Sequence, residues 1–393
     1  MTAAEQTTRQ APRRGGASER LLTVEHLSVG FPTDDGVVNA VRDLSFTLDS
    51  GEVLGVVGES GSGKSVSSMA LMGLLPKTAN ITGSINYRGK ELVGIDKQGI
   101  RKIRGNSIAM IFQDPMTSLN PVFTVGWQLA EAYRAHHRDS SKRKAWARAV
   151  EVLEMVGIPQ PDRRASQYPH EFSGGMRQRV VIAMVVINNP DLIIADEPTT
   201  ALDVTVQAQI LETLLDIRRQ TGGAIIMITH DLGVVAGMVD RLQVMYAGTM
   251  VESGVVDDVF ERPRMPYTVG LLGSNPNPSK LGQRLTPIQG APPSLVNLPT
   301  GCAFSPRCPL VIEECVQSEP ELLDAGSGGH SARCHRTEHL LTLADPQSLF
   351  VREEIGSEEP LAAMLEADPA ASVQGHIGHG ETAGSDEQEA STS

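Results

Sequence analysis

Two short segments of this chain carry residue types that can seat an anion on main-chain N–H groups. GESGSGKS at residues 58–65 places Gly58, Gly61 and Gly63 ahead of Lys64 and Ser65. FSGG at residues 172–175 places Ser173, Gly174 and Gly175 at the head of a helical pattern. Glycines let the backbone close around phosphate oxygens where a Cβ would collide. In the first segment, Lys64 supplies a point charge to β- and γ-phosphates and the Ser65 hydroxyl is a Mg²⁺ ligand. Ser60, Ser62 and Val66 complete that loop and the start of its helix. The second segment offers a hydroxyl and free helix N-terminal amides to an anion. A chain with two such turns either binds two nucleotides or shares each nucleotide with a second copy.

LIIADE at residues 192–197 supplies the carboxylates. Asp196 ends an apolar strand, so its carboxylate stands at the strand's C-terminal edge and suits Mg²⁺, directly or through water. Glu197 points differently and is the candidate general base for an attacking water. An acidic pair at a strand end also serves as a helix N-cap, and Pro198 and Thr199 would suit that role. The phosphate loop upstream favours the metal reading.

The elements around these residues follow from hydrophobic period. Residues 21–29 alternate as a half-exposed strand, and 53–57 form a short apolar strand running into the loop, with a helix over 66–75. Residues 84–87, 107–111, 192–195, 224–229 and 241–246 read as further strands. Between about 115 and 190 the helical period dominates, with helices over 127–135 and 143–156 and another after FSGG. Strands alternating with helices predict an α/β fold on a mainly parallel sheet, with a helical subdomain inserted. No internal repeat occurs, so one nucleotide unit is expected.

After about residue 260 prolines crowd the chain, so long helices are not expected and a small, loop-rich accessory domain is. All four cysteines, Cys302, Cys308, Cys315 and Cys334, fall here, spaced x5, x6 and x18. In a cytosolic protein disulfides are not expected. Four thiolates can hold a [4Fe–4S] cluster or tetrahedral Zn²⁺. The lack of the short cysteine pairs common in zinc sites tilts the reading to the cluster, with Zn²⁺ and metal-free thiols as alternatives.

The net charge is −13, which argues against a general nucleic-acid binder. Residues 351–393 hold ten Asp and Glu against Arg352 alone, without apolar period. Residues 346–393 and 1–20 therefore read as disordered tails. The longest mid-chain apolar run, 180–187, is far short of the roughly 20 residues that span a bilayer. The N-terminus has no apolar stretch for a secretory signal. A cytosolic chain that reaches a membrane through partners is expected.

The order of these segments over about residues 21–260 resembles the ATP-binding subunits of ABC transporters, which implies a P-loop ATPase core with an antiparallel β subdomain beside the inserted helical one. Their usual LSGGQ signature stands here as FSGGM, with Phe172 for Leu and Met176 for Gln. RPRMPYTVGLL at 262–272, GAPPSL at 290–295 and GCAFSPRCP at 301–309 resemble the C-terminal extension of the oligopeptide and dipeptide branch, placed here over 261–345. The resemblance implies that Gln113 contacts Mg²⁺ and the attacking water and couples the site to membrane subunits. It implies that His230 is the switch histidine at the γ-phosphate, that Asp203 crosses a dimer interface and that Phe31 stacks on adenine. Phe31 equally suits the core of the first small sheet.

The resemblance implies further that the FSGG turn completes a partner's site, so that ATP joins two subunits. The expected partners are a similar or identical ATPase subunit, two transmembrane permeases and an extracytoplasmic binding protein. The chain would lie peripherally on the cytoplasmic face of the cell membrane and drive peptide import. Import of another solute, such as nickel or an oligosaccharide, and a non-transport soluble ABC ATPase are the competing readings.

Overall fold

The computed structural model describes residues 19–113, 118–199, 203–274, 286–325 and 329–351. The expected tails fall outside these residues except at their inner ends. There the chain continues to Val351, and the 3-10 turn Pro346–Phe350 packs Phe350 against the larger core.

Two sheets carry the described strands. The smaller one is antiparallel, ordered β2–β1–β4–β5, from β1 (Arg20–Thr33), β2 (Gly36–Asp49), β4 (Asn80–Tyr87) and β5 (Lys90–Glu91). β1 bends through several register shifts against β2, and it runs well beyond the 21–29 stretch expected from alternation. The larger sheet contains β3 (Val53–Val57), β6 (Ile108–Ile111), β7 (Leu192–Asp196), β8 (Ala224–Thr229) and β9 (Arg241–Tyr246). These five pair in parallel in the order β9–β3–β8–β7–β6. β10 (Thr249–Val255) then pairs antiparallel with β9, followed by the short β12 (Ser331–Ala332) and β11 (Leu323–Asp324).

β3, β7 and β8 are buried along their whole length, as strands covered on both faces of a parallel sheet must be. Each reads as a continuous apolar run rather than an alternating one. The helices Val125–His136, Lys142–Met155 and Gly174–Val186 form the inserted helical part. Thr124, Ser141 and Ser173 cap them, each side chain accepting from the main-chain N–H three residues on.

Two cores result. The smaller sheet closes over Leu22, Leu27, Leu44, Leu48 and Ile85 on one face of the larger sheet. The other core joins the far face of that sheet to the helical part and reaches Phe304 and Tyr267 of the C-terminal extension. The extension has few apolar side chains of its own and anchors them in this shared core.

Candidate nucleotide site at the strand C-termini

Parallel pairing brings four chain segments to one edge. Val57 lies beside Thr229, Asp196 beside Ile228, and Ile111 beside Ala195. The phosphate loop after β3, Gln113 after β6, the acidic pair at the end of β7 and His230 after β8 therefore converge although 172 residues separate Gly58 from His230. A crevice at strand C-termini is where open α/β sheets place ligands.

The loop runs from β3 into the helix Lys64–Leu71. That helix begins two residues earlier than the apolar pattern indicates, because Gly63 caps it in left-handed geometry. It also ends sooner than expected, ahead of Gly73 at φ 59. Gly58 has φ 151, and a Cβ there would stand 2.2 Å from the Met245 carbonyl oxygen. Only glycine fits that close approach, and it presses the start of the loop onto the end of β9.

Lys64 is buried and folds back into the loop. Its Nζ donates to the carbonyls of Gly58 and Glu59, each at 2.8 Å, and to Ser62 Oγ at 3.3 Å. Burial lowers its pKa, while the carboxylates of Glu197, Asp196 and Glu59 act in the opposite direction. Ser65 Oγ donates to Asp196 Oδ1 at 3.1 Å. Burial raises the Asp196 pKa, and the neighbouring Glu197 charge adds to that. A hydroxyl and a carboxylate oxygen meeting in a pocket rich in negative charge are the hard oxygen donors that Mg²⁺ prefers. The residues fit that ion.

Glu197 is held at φ 47, a left-handed conformation uncommon for a non-glycine residue. Its N–H donates to the Ile228 carbonyl at 2.9 Å, which fixes the turn against β8. Its carboxylate receives Gln113 Nε2 at 3.0 Å on one oxygen and lies 3.3 Å from His230 Nδ1 on the other. The expected general base, the expected glutamine and the expected switch histidine thus form one connected group. Backbone strain of this kind concentrates at functional sites.

The second turn is a helix N-terminus, as the sequence indicates. Ser173 is the N-cap and Phe172 is buried beneath it, while Ser173 and Gly174 are exposed. Asp203 is also an N-cap, accepting from the Val206 N–H at 3.0 Å, and Gly175 packs against that same Val206. Phe31 is half-buried against the core of the smaller sheet. Residues 114–117 and 200–202 beside the site lie outside the described residues.

The four cysteines are free thiols gathered in one neighbourhood. The Cys302 N–H donates to the Cys315 carbonyl at 2.8 Å, and Gly301 admits this approach because a Cβ would stand 2.2 Å from that oxygen. Burial pushes the Cys308 thiol up to about 12 and Cys334 up to about 11, and the other thiols of the group oppose ionisation further. Among the described residues, no three His, Cys, Asp or Glu side chains are arranged to hold a metal ion. The donors suit a thiolate-bound metal in type, but not in their present arrangement.

Sequence reasoning missed Glu59, Tyr267 and Arg307. Glu59 Oε2 and Oε1 accept from the two terminal nitrogens of Arg307 at 2.7 and 2.9 Å, and the Glu59 N–H donates to Tyr267 Oη at 2.8 Å. The partners lie over 200 residues away, and no local pattern links them.

The ABC transporter family model matches residues 41–200, and the model for the oligopeptide/dipeptide transporter C-terminal region matches 251–315. A dipeptide transport ATP-binding protein of Bacillus subtilis is 51% identical over 333 residues, covering 83% of this chain and 99% of that protein. An oligopeptide transport ATP-binding protein of Salmonella typhimurium is 50% identical, covering 86% and 99%. One from Mycobacterium bovis is 56% identical over 81% of this chain, which spans about half (52%) of that longer relative. Among solved structures, a dimeric ATP-binding cassette in a post-hydrolysis state with ADP and Pi is similar at TM-score 0.54 and 25% identity, covering 60% of this chain and 99% of that one. The chain belongs to the ABC transporter family, among the ATP-binding proteins that carry the oligopeptide/dipeptide C-terminal region.

Proposed function

We propose that this chain is the ATP-hydrolysing subunit of an importer of dipeptides or oligopeptides. The observation that carries the reading is the joining of an ABC transporter ATP-binding region to the C-terminal region of that transporter branch, at 51% identity over nearly the whole of a dipeptide relative.

In this reading the main-chain amides of residues 58–65 and Lys64 take the phosphates, and Ser65 and Asp196 hold Mg²⁺ with Gln113 beside them. A Mg²⁺ ion held by these residues would supply neutralisation of the charge that builds on the phosphoryl oxygens. Glu197 accepts the proton of the attacking water, and its bonds with Gln113 and His230 aim its carboxylate. His230 is placed to meet the γ-phosphate, and Phe31 serves the adenine. Ser173, Gly174, Gly175 and Asp203 face a second, similar subunit and complete its site, so that nucleotide occupancy draws two subunits together.

Transmembrane permeases and an extracytoplasmic binding protein complete the assembly, with this chain on the cytoplasmic face. Among the described residues no helix is long and apolar enough to cross a membrane. Phe123 and Trp127 stack at 4.1 Å with both rings substantially exposed on the helical part, an apolar face suited to a permease. The cysteine group is read as the seat of a [4Fe–4S] cluster, with Zn²⁺ as the alternative. Burial disfavours free thiolates at Cys302, Cys308 and Cys334, and a bound cation would remove that penalty.

The test is uptake. Cells lacking this chain should lose accumulation of labelled di- and tripeptides, with nickel and oligosaccharide uptake unchanged. Loss of nickel or oligosaccharide uptake with intact peptide uptake would replace the substrate class.

A further inference from the structure

Glu59 is the one acidic side chain inside the phosphate loop, a segment that must receive a highly charged anion. It is held at three points. Its N–H donates to Tyr267 Oη, and its carbonyl accepts from Lys64 Nζ at 2.8 Å and from the Ser62 N–H at 3.2 Å. Its carboxylate takes the two-pronged guanidinium of Arg307.

Arg307 is itself fully committed. Its side chain is only 5% exposed, Nε donates to the Gln289 carbonyl at 3.0 Å, and Nη1 lies 3.3 Å from Tyr246 Oη. The guanidinium also stands 5.9 Å from the ring centres of Tyr246 and Phe304. Burial opposes its charge, but Glu59 and Tyr246 more than offset this and hold its pKa above the usual value. Planar two-point pairing of this kind fixes orientation as well as charge.

Two consequences follow for the nucleotide site. The Glu59 charge, which would repel a triphosphate, is neutralised from behind. The peptide carbonyls at 58 and 59 that park Lys64 are also fixed in direction. We propose that Arg307, assisted by Tyr267, is a positioning residue for triphosphate binding, through which the C-terminal extension holds the phosphate loop ready. Arg307 reaches the phosphate loop through the Glu59 carboxylate.

The full-length chain with a fluorescent ATP analogue and Mg²⁺ provides the test. Arg307→Met should raise the dissociation constant about tenfold, the scale of one lost charge-assisted contact. The double variant Arg307→Met with Glu59→Gln should recover most of that loss, because the uncompensated carboxylate is gone. A merely structural role for Arg307 would leave the double variant as weak as the single one, which would overturn the proposal, as would unchanged binding in Arg307→Met. Should Arg307→Met not fold, Arg307→Lys decides. It keeps the charge and loses the fork, so a shift of about threefold is expected, and affinity equal to the parent overturns the proposal.

Discussion

Gln113 Nε2 donates to Glu197 Oε2 at 3.0 Å, joining the ends of two adjacent parallel strands, β6 and β7. His230 Nδ1 lies 3.3 Å from the other oxygen of the same carboxylate. The candidate base is therefore oriented from both sides.

The exposed Ser173 N-cap predicts a partner-dependent defect. Ser173→Arg places a long cation at the head of the helix Gly174–Val186, the turn proposed to meet another subunit's nucleotide. Binding of ATP to the isolated variant should match the parent within about twofold, because Lys64 and its loop are untouched. ATP-driven association, followed by light scattering or sedimentation in a slow-hydrolysing background, should be lost. Normal association in Ser173→Arg would show that this turn does not face the partner.

The buried thiols predict a steep pH dependence in metal-free protein. The Cys334 pKa is raised to about 11 and Cys308 to about 12, chiefly by burial. Only the thiolate reacts, so at pH 8 alkylation of Cys308 and Cys334 in the native protein should be at least roughly a hundredfold slower than in the unfolded chain and climb about tenfold per pH unit. The sign for stability is fixed by the same shifts. Both folded pKa values lie above the unfolded one, so this contribution is fully present below pH 9 and is lost as pH rises toward about 12. Metal-loaded protein should resist alkylation throughout, and should be brown with broad absorbance for iron or colourless with stoichiometric zinc. Rapid, pH-independent alkylation of the metal-free chain would contradict the buried placement.

Much of the nucleotide site was legible because its residues lie in short contiguous motifs tied to strand ends. The run 192–196 reads as a covered strand, and Asp196 at its end could only emerge at the C-terminal edge. Pairing in one parallel sheet then brings His230 to Glu197 without any sequence mark of that contact. β2 and β10 went unpredicted, since each is mixed in polarity and takes its place from partners across the sheet. The Arg307–Glu59 pair was invisible for the same reason, being made between the loop and a proline-rich extension that has no period to read. The cysteines were visible as a group, but their spacing says nothing about the distances among the sulfurs.

The central claim is that this chain hydrolyses ATP through Glu197, and one variant addresses it directly. Glu197→Gln keeps the size and the contact with Gln113 while removing the proton acceptor. In the assembled transporter it should bind Mg-ATP as the parent does and lose hydrolysis by about two to four orders of magnitude. ATP turnover within a fewfold of the parent, with binding intact, would contradict the account and place the base on another residue.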